Sequence, residues 1–383
     1  MMKKIIVLIY FLILFTGCGK YNKEDIVKDF KERVNDSKSY VLMGKLEIYR
    51  NEDLYTYDVT SSYKNKNNFK VDLINTTNNH EQIILRNNDE VYVVTPSLNK
   101  SFKFQSEWPY NNSQIYLLQP IVNDLEADEN VTLKDNDNGY ILTIKANYIN
   151  DKTLVKQKVY LDKKLNLKKV EVIDDNDDVV MRFKIVKTEF NIKLDDDDFK
   201  IANYITLEKK QNDNASKKDQ DNNAKNDEEN NQENNKNANV MDENETNNMS
   251  GSDNSRNLNS DDNSSNIESQ TTSNLNEVLY PMYVPVDTYL KTQDVLALDE
   301  GSRTILTFAG ESPFTLVQSS LSSVDNKNVY GDPYLIADTV GAISDYSLSW
   351  ISNQQEYYLT SNTMDLDELL LVAQSLSVTE VGK

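Results

Sequence analysis

The sequence predicts an α+β fold made mainly of antiparallel strands with a few helices. Three observations support this class. Runs with a two-residue apolar alternation follow one another from residue 41 to residue 190, and clusters of Asn, Asp and Lys separate them. Tyrosine, which favours strands, occurs 22 times, whereas glycine occurs only ten times. Helical spacing of apolar residues is confined to a few short segments, the first at residues 26–34.

The N-terminus has the pattern of an exported lipoprotein. A pair of lysines precedes an apolar run over residues 5–15, which is short for a membrane span and typical of a signal peptide. Cys18, the only cysteine, follows two small residues, and this boundary resembles a bacterial lipobox except that Phe15 replaces the usual Leu. The resemblance implies that residues 1–17 are removed and that Cys18 carries acyl chains such as palmitate, which anchor the protein outside the cytoplasm. The alternative is an ordinary signal peptide with an incidental cysteine.

Residues 18–207 are predicted to form the first globular domain. It begins with a helix capped by Asn22. The predicted strands cover residues 41–50, 54–63, 69–74, 82–86, 91–95, 140–148, 154–161, 167–173 and 179–190. Between the fifth and sixth of them, an aromatic loop over residues 101–110 precedes a helix over residues 113–124 that Ser113 would cap. The stretch 80–119 is therefore predicted to be the wall and lid of a concave sheet.

Two further segments complete the chain. Residues 208–277 are dominated by Asn, Asp, Glu, Lys and Ser, so they are predicted to be a disordered linker rather than a cell-wall or cation-binding tail. Residues 278–383 are predicted to form a smaller α+β domain that ends in a helix capped by Asp365 or Thr363. Its predicted strands cover residues 291–297, 303–309, 314–319, 332–336, 340–343, 346–352 and 356–360.

The amino-acid composition limits the partners and the kinds of active site that the chain can have. A net charge of −21 argues against nucleic acid as a partner. With one cysteine and one histidine, His80, the sequence predicts no catalytic, metal or cofactor site, and no serine lies in a GxSxG motif. The acidic runs at 174–178 and 195–198 are interpreted as turns.

Four aromatic residues are candidate contacts for a partner or cargo. Phe102, Phe104, Trp108 and Tyr110 interleave with polar residues in the loop over residues 101–110. The alternative interpretation is that these rings fill the core of the first domain, which is the commoner role of such residues.

The chain resembles a known family at several segments. These segments are NHEQIIL, VYVVTPSLNKSFKFQSEWP and NSQIYLL, then VKQKVYLDKKLNLKKVEV, and in the C-terminal part SRTILTFAGESPFTLVQ. They are similar to the YdcC-type sporulation lipoproteins, which belong to the wider LolA-like family and are related to the germination lipoprotein GerS. The resemblance implies a curved antiparallel half-barrel with helices in its concave side.

The resemblance also implies a function. It implies a non-enzymatic, lipid-anchored scaffold or binding partner in spore envelope or cortex assembly or in germination, at the membrane around the forespore. A cortex peptidoglycan enzyme or a spore envelope protein would be its partner. The alternatives are a carrier of lipid or acylated protein and a regulator of an anti-sigma factor. A large dry apolar cavity in the concave face would favour the carrier, and a face filled by side chains would favour the scaffold.

Overall fold

The computed structural model describes residues 21–206 and 278–376, apart from gaps at 51–52, 66, 89, 149–150, 299–300, 322–325 and 337. Cys18 and the predicted linker lie outside the described residues, and the domain boundaries proposed above stay predictions. The described residues before and after the masked segment 207–277 form one compact unit. Within these ranges, no helix is long and apolar enough to cross a membrane.

The described residues form three α-helices, and two of them begin at predicted caps. The helices are α1 (Lys23–Asn35), α2 (Leu118–Ala127) and α3 (Leu366–Gln374). The Asn22 side chain accepts a hydrogen bond from the Asp25 backbone N–H at 2.8 Å, and Asp365 accepts one from the Glu368 N–H at 2.9 Å. Each bond satisfies a backbone donor that has no partner inside the helix.

The prediction that Ser113 caps the second helix is wrong. The helix begins at Leu118, and Leu117 occupies its N-cap position without a capping side chain. Ser113 is fully buried, and its backbone N–H donates to the Asn147 carbonyl at 2.8 Å. Because the Ser113 N–H is bonded to a residue distant in sequence and not to a carbonyl in a helical turn, residues 113–117 are extended or form a turn instead of a helix.

The first sheet is antiparallel over eleven strands. They are β1 (Ser39–Arg50), β2 (Asp53–Lys64), β3 (Asn68–Asn75), β4 (Glu81–Asn87), β5 (Glu90–Thr95), β6 (Lys100–Gln105), β7 (Thr132–Asn136), β8 (Gly139–Lys145), β9 (Leu154–Asp162), β10 (Leu167–Asp174) and β11 (Val179–Phe190). Among the described residues their order is β6-β5-β4-β3-β2-β1-β11-β10-β9-β8-β7. The first half of the predicted aromatic loop is therefore strand β6, and β7 is a strand that the sequence did not predict.

Two helices fill the concave side of this sheet. The α1 residues Ile26, Phe30 and Val34 are buried, as are most residues of α2. These side chains share one hydrophobic cluster with inward-facing sheet residues such as Leu42 and Val170. The predicted α+β half-barrel with helices in its concave side is confirmed.

The second sheet follows residue 278 and is also antiparallel. Its strands are β12 (Thr288–Leu298), β13 (Gly301–Gly310), β14 (Phe314–Ser320), β16 (Asp332–Ile336), β17 (Thr339–Ser344), β18 (Ser347–Ser352) and β19 (Gln355–Thr360). The order among the described residues is β12-β13-β14-β19-β18-β17-β16. Helix α3 packs on this sheet through Leu369 and Val372, which share a cluster with Trp350 and Leu359.

One strand leaves the second sheet and joins the first. Strand β15 (Asn326–Tyr330) pairs in parallel with β6, so that Asn326 lies opposite Ser101 and Tyr330 opposite Gln105. The first sheet thus gains a twelfth strand from the C-terminal part of the chain. The sequence did not predict this strand, because its residues are mostly polar and show little alternation.

Candidate functional site

Three of the four candidate contact aromatics lie in the core. Trp108 is 0% exposed, and Phe102 and Phe104 are also buried, whereas Tyr110 exposes 40% of its surface. Trp108 and Tyr110 meet around Phe69, with ring-centroid distances of 6.2 and 5.7 Å. Tyr110 is therefore the candidate that a partner could touch directly, while the other three shape the strand and loop beneath it. Their role as a contact site stays a prediction.

The loop that carries these rings is held by its own domain. The Arg86 guanidinium donates to the Trp108 carbonyl at 2.5 Å, and the Trp108 N–H donates to the Ser106 hydroxyl at 2.9 Å. The Tyr110 hydroxyl donates to the Asn67 side-chain oxygen at 2.5 Å. Because backbone and side-chain groups are both bonded, the loop has a defined conformation rather than a free one.

The loop is also held by the C-terminal part of the chain. Asn111 donates from its amide to both carboxylate oxygens of Asp332, each at 2.9 Å, and the Ser106 hydroxyl donates to the same carboxylate. Asp332 begins β16, directly after the strand that pairs with β6. The stretch predicted to meet a partner thus meets the second sheet of its own chain.

A second contact between the sheets is made by Gln82 on β4. Its side-chain oxygen accepts the Val340 N–H at 2.5 Å, and its amide donates to the Val340 carbonyl at 3.2 Å. The Thr339 hydroxyl donates to the same side-chain oxygen at 3.2 Å. Since Gln82 is buried, its amide takes the place of a neighbouring strand for one residue of β17.

A third contact between the two sheets involves Arg50, the last residue of β1, and Tyr334 on β16. Arg50 donates to the Leu335 carbonyl and to the Tyr334 hydroxyl, each at 3.4 Å, and Tyr334 donates to Asp151 at 3.2 Å. Burial raises the pKa of Tyr334 to about 12, so its hydroxyl keeps the proton that it donates.

Burial also raises the pKa of Asp367 on α3 to about 6. A cleft of about 210 Å³ opens beside Arg50 and Asp151.

We refer to these contacts between the two sheets together as the seam. On the C-terminal side they all come from the short segment 326–342, through β15, Asp332, Tyr334 and Val340. The sequence did not reveal its partners, because Gln82 and Val340 are separated by more than 250 positions. The one signal that the sequence offers for Gln82 is a polar residue next to the apolar residues of a predicted strand.

The single histidine also lies beside the seam. Burial lowers the pKa of His80, and the nearby Asp338 carboxylate acts in the opposite direction. Burial raises the pKa of Asp338 itself. In the part of the chain that the structure describes, no group of three or more His, Cys, Asp or Glu residues is placed to hold a metal ion.

Asp124 on α2 is a buried carboxylate on the concave side, where most of the buried side chains of α1 and α2 are apolar. Asp124 on α2 accepts hydrogen bonds from the Ser113 hydroxyl at 2.7 Å and from the Gln157 amide at 2.6 Å. Burial raises the pKa of Asp124 to about 6, because these two neutral donors only partly replace water around the charge. The network ties α2 to β9 and to the loop before the helix.

A pocket of about 600 Å³ lies beside α1, and its lining is largely charged. The charged residues are Lys23, Glu24, Lys28, Lys31, Glu32, Asp36, Asp128 and Glu129. Such a lining is unlike the apolar cavity that an acyl chain requires. This pocket is therefore not the large dry apolar cavity expected of a carrier.

Comparison with known proteins agrees with the resemblance drawn from the sequence. Residues 67–202 match the family model described as outer membrane lipoprotein carrier protein LolA. The chain is 27% identical to "Sporulation protein YdcC" of Bacillus subtilis (strain 168) over 369 residues, which cover 95% of this chain and 93% of that protein. The predicted resemblance to YdcC-type proteins with a LolA-like domain is confirmed.

Solved structures show weaker likenesses. The Pseudomonas aeruginosa MucA/MucB complex contains a chain that is 10% identical, with a TM-score of 0.31, over 91% of this chain and 96% of that chain. The complex of the CwlD amidase with the GerS lipoprotein from Clostridioides difficile contains one that is 18% identical, with a TM-score of 0.25, over 47% of this chain and 99% of that chain. What those proteins bind is a property of those proteins.

Proposed function

We propose that this relative of the YdcC sporulation protein is a lipid-anchored binding protein of spore development. In this proposal Cys18 holds it at the outer face of a membrane around the forespore. There it binds a protein of spore envelope or cortex assembly, such as a peptidoglycan-processing enzyme. It carries out no chemistry itself and acts by holding its partner at the membrane.

The single observation that carries the proposal is the similarity to the sporulation protein over nearly the whole length of both chains. It spans the first sheet, the segment 207–277 and the second sheet, and it is not limited to the LolA-like part at residues 67–202. A likeness this extended favours a shared role for the complete chain, not only a shared fold.

The packing of the first domain supports binding rather than carrying. Phe30 on α1 and Ile121 on α2 are fully buried in the same cluster as the inward-facing residues of the sheet. A lipid could enter this space only if the helices moved out and exposed that apolar surface. Each large side chain exposed in this way would cost about 1.5–3 kcal/mol.

Crosslinking in sporulating cells tests the proposal. We expect the wild-type chain to yield an adduct with an envelope or cortex protein, and a deletion strain to make spores with an altered envelope or delayed germination. A chain with Cys18→Ser serves as the control, since it should lose the adduct if anchoring positions the partner. Normal spores together with no adduct would refute the proposal.

A carrier of lipid or acylated protein is the second candidate, and the LolA family match over residues 67–202 favours it. It predicts that the full-length chain binds a fluorescent fatty acid with about micromolar affinity, equivalent to about 8 kcal/mol. Substitution of Phe30 with Ala, which enlarges the concave side, should then change that affinity. Absence of binding to the wild-type chain would remove the carrier.

A further inference from the structure

The two sheets end in strands of very different length. Within the described residues the first sheet ends in β15 and β7, and the second sheet ends in β16 and β12. Strands β15, β7 and β16 have five residues each, whereas β12 has eleven. Short edges offer few backbone groups to another chain, so three of these four edges are poor templates for a further strand.

Strand β12 also lacks most of the other features that protect an edge. It contains no proline, and Lys291 is its only basic residue. A bulge between Leu290 and Thr292 disturbs its first part, but residues 292–298 then pair regularly with β13. By contrast, β16 carries Pro333, and β7 is mostly charged and polar. Among the described residues no strand pairs with the outer side of β12, so regular backbone with unpaired donors and acceptors remains along more than half of its length.

Apolar side chains are exposed on both faces of β12. Val295 and Leu296 are neighbours on the strand and so point to opposite faces, and they are 61% and 48% exposed. Tyr289 is 62% exposed, and Met282 and Val286 just before the strand are even more exposed. A strand added at this edge would cover such residues on both of its faces, which a flat docking surface would not do.

Charge decides what kind of strand fits. Residues 278–376 contain thirteen Asp and Glu but only three Lys and Arg. Asp287 immediately precedes β12, and Asp294 lies within it. A second copy of this chain would bring two strongly acidic regions together, and like charges in close contact are destabilising. A basic segment meets the opposite charge instead.

We infer that β12 is the acceptor edge for an extended segment of a partner protein. The segment is apolar in its centre, carries Lys or Arg at its ends, and adds to the second sheet as a strand. This inference rests on the proposed function, because it names the surface and the partner chemistry of a binding protein. It places partner binding at the far edge of the second sheet, away from the seam.

Two labelled peptides test the inference with the full-length chain. One is an alternating Thr/Val strand with two lysines at each end, and its twin has glutamates in their place. We expect fluorescence anisotropy to show binding of the lysine peptide at least about tenfold tighter than of its twin. Val295→Lys on β12 should weaken it about tenfold, whereas the matched Val186→Lys on the interior strand β11, at a residue that is 78% exposed, should change it less than about twofold.

Photo-crosslinking in sporulating cells from residue 296 identifies the natural segment. We expect an adduct with another protein, localised to an apolar stretch flanked by Lys or Arg, and loss of that adduct with Val295→Lys. Equal binding of the two peptides, no binding up to about 1 mM, or an adduct only with a second copy would each overturn the inference. These outcomes leave the proposed function standing when the wild-type chain still yields its partner adduct from other positions.

Discussion

Removal of the Gln82 side chain is expected to release β17 from the first sheet. In wild type this amide satisfies the N–H and the carbonyl of Val340, which is itself buried. Gln82→Ala leaves both groups without that partner. Each buried, unsatisfied backbone group costs about 1–3 kcal/mol, so the two together cost about 2–6 kcal/mol. The Thr339 hydroxyl keeps its other bond, to the Ile351 carbonyl at 3.0 Å, and adds little.

Hydrogen exchange read by mass spectrometry measures this local effect. A loss of 2 kcal/mol corresponds to about 30-fold faster exchange when the segment opens locally, and we expect that or more for the peptide containing residues 339–344. Gln105→Ala is the matched control, since Gln105 is exposed at the end of β6 and should leave exchange unchanged. Gln82→Glu should be intermediate, because it keeps an acceptor for the Val340 N–H but loses the donor.

Two results would contradict this reasoning. If residues 339–344 in Gln82→Ala exchange as slowly as in wild type, then the amide does not hold β17. If β1 and β11 in the middle of the first sheet accelerate equally, the substitution has lowered global stability instead of opening the seam. The comparison of these peptides within one experiment separates the two cases.

Three further predictions concern the core, pH and the anchor. Trp108→Ala should lower the free energy of unfolding by about 3–5 kcal/mol in urea titrations, and Tyr110→Ala by less than about 1 kcal/mol, because only the first ring is fully buried. The pKa of Asp124 rises from 3.8 unfolded to about 6 folded, so stability should fall by about 2 kcal/mol as pH rises from 4 to 6, and Asp124→Asn should abolish this component. Cys18→Ser should move the protein from the membrane fraction to the soluble fraction.

For each of these three predictions, a specific result would contradict it. Equal unfolding energies for the Trp108 and Tyr110 variants would mean that the indole is not a core residue. A wild-type pH profile that is unchanged by Asp124→Asn would show that another group controls stability between pH 4 and pH 6. Membrane retention of the Cys18 variant would point to an anchor other than the acylated cysteine.

Much of the secondary structure was predictable because its signals are local. The Asn22 and Asp365 caps, the end of β5 before Pro96 and the long alternating strands β1 and β11 all follow from residue types a few positions apart. Ser113 was misassigned for the same reason. Serine is a common N-cap residue, but the Ser113 hydroxyl is bonded to Asp124 and its backbone N–H to the Asn147 carbonyl. Neither contact is visible in the local sequence.

The sequence by itself determined the class of fold and the family resemblance. Only the tertiary structure showed that β15 joins the first sheet and that Asp332 and Gln82 hold the two sheets together. The physical reason lies in the bonds involved. Pairing at a sheet edge uses backbone N–H and carbonyl groups that every residue except proline offers, so the sequence of β15 carries no mark of its partner more than 200 positions away. The burial of Trp108 against Phe69 also depends on residues distant in sequence, so only the tertiary structure showed it.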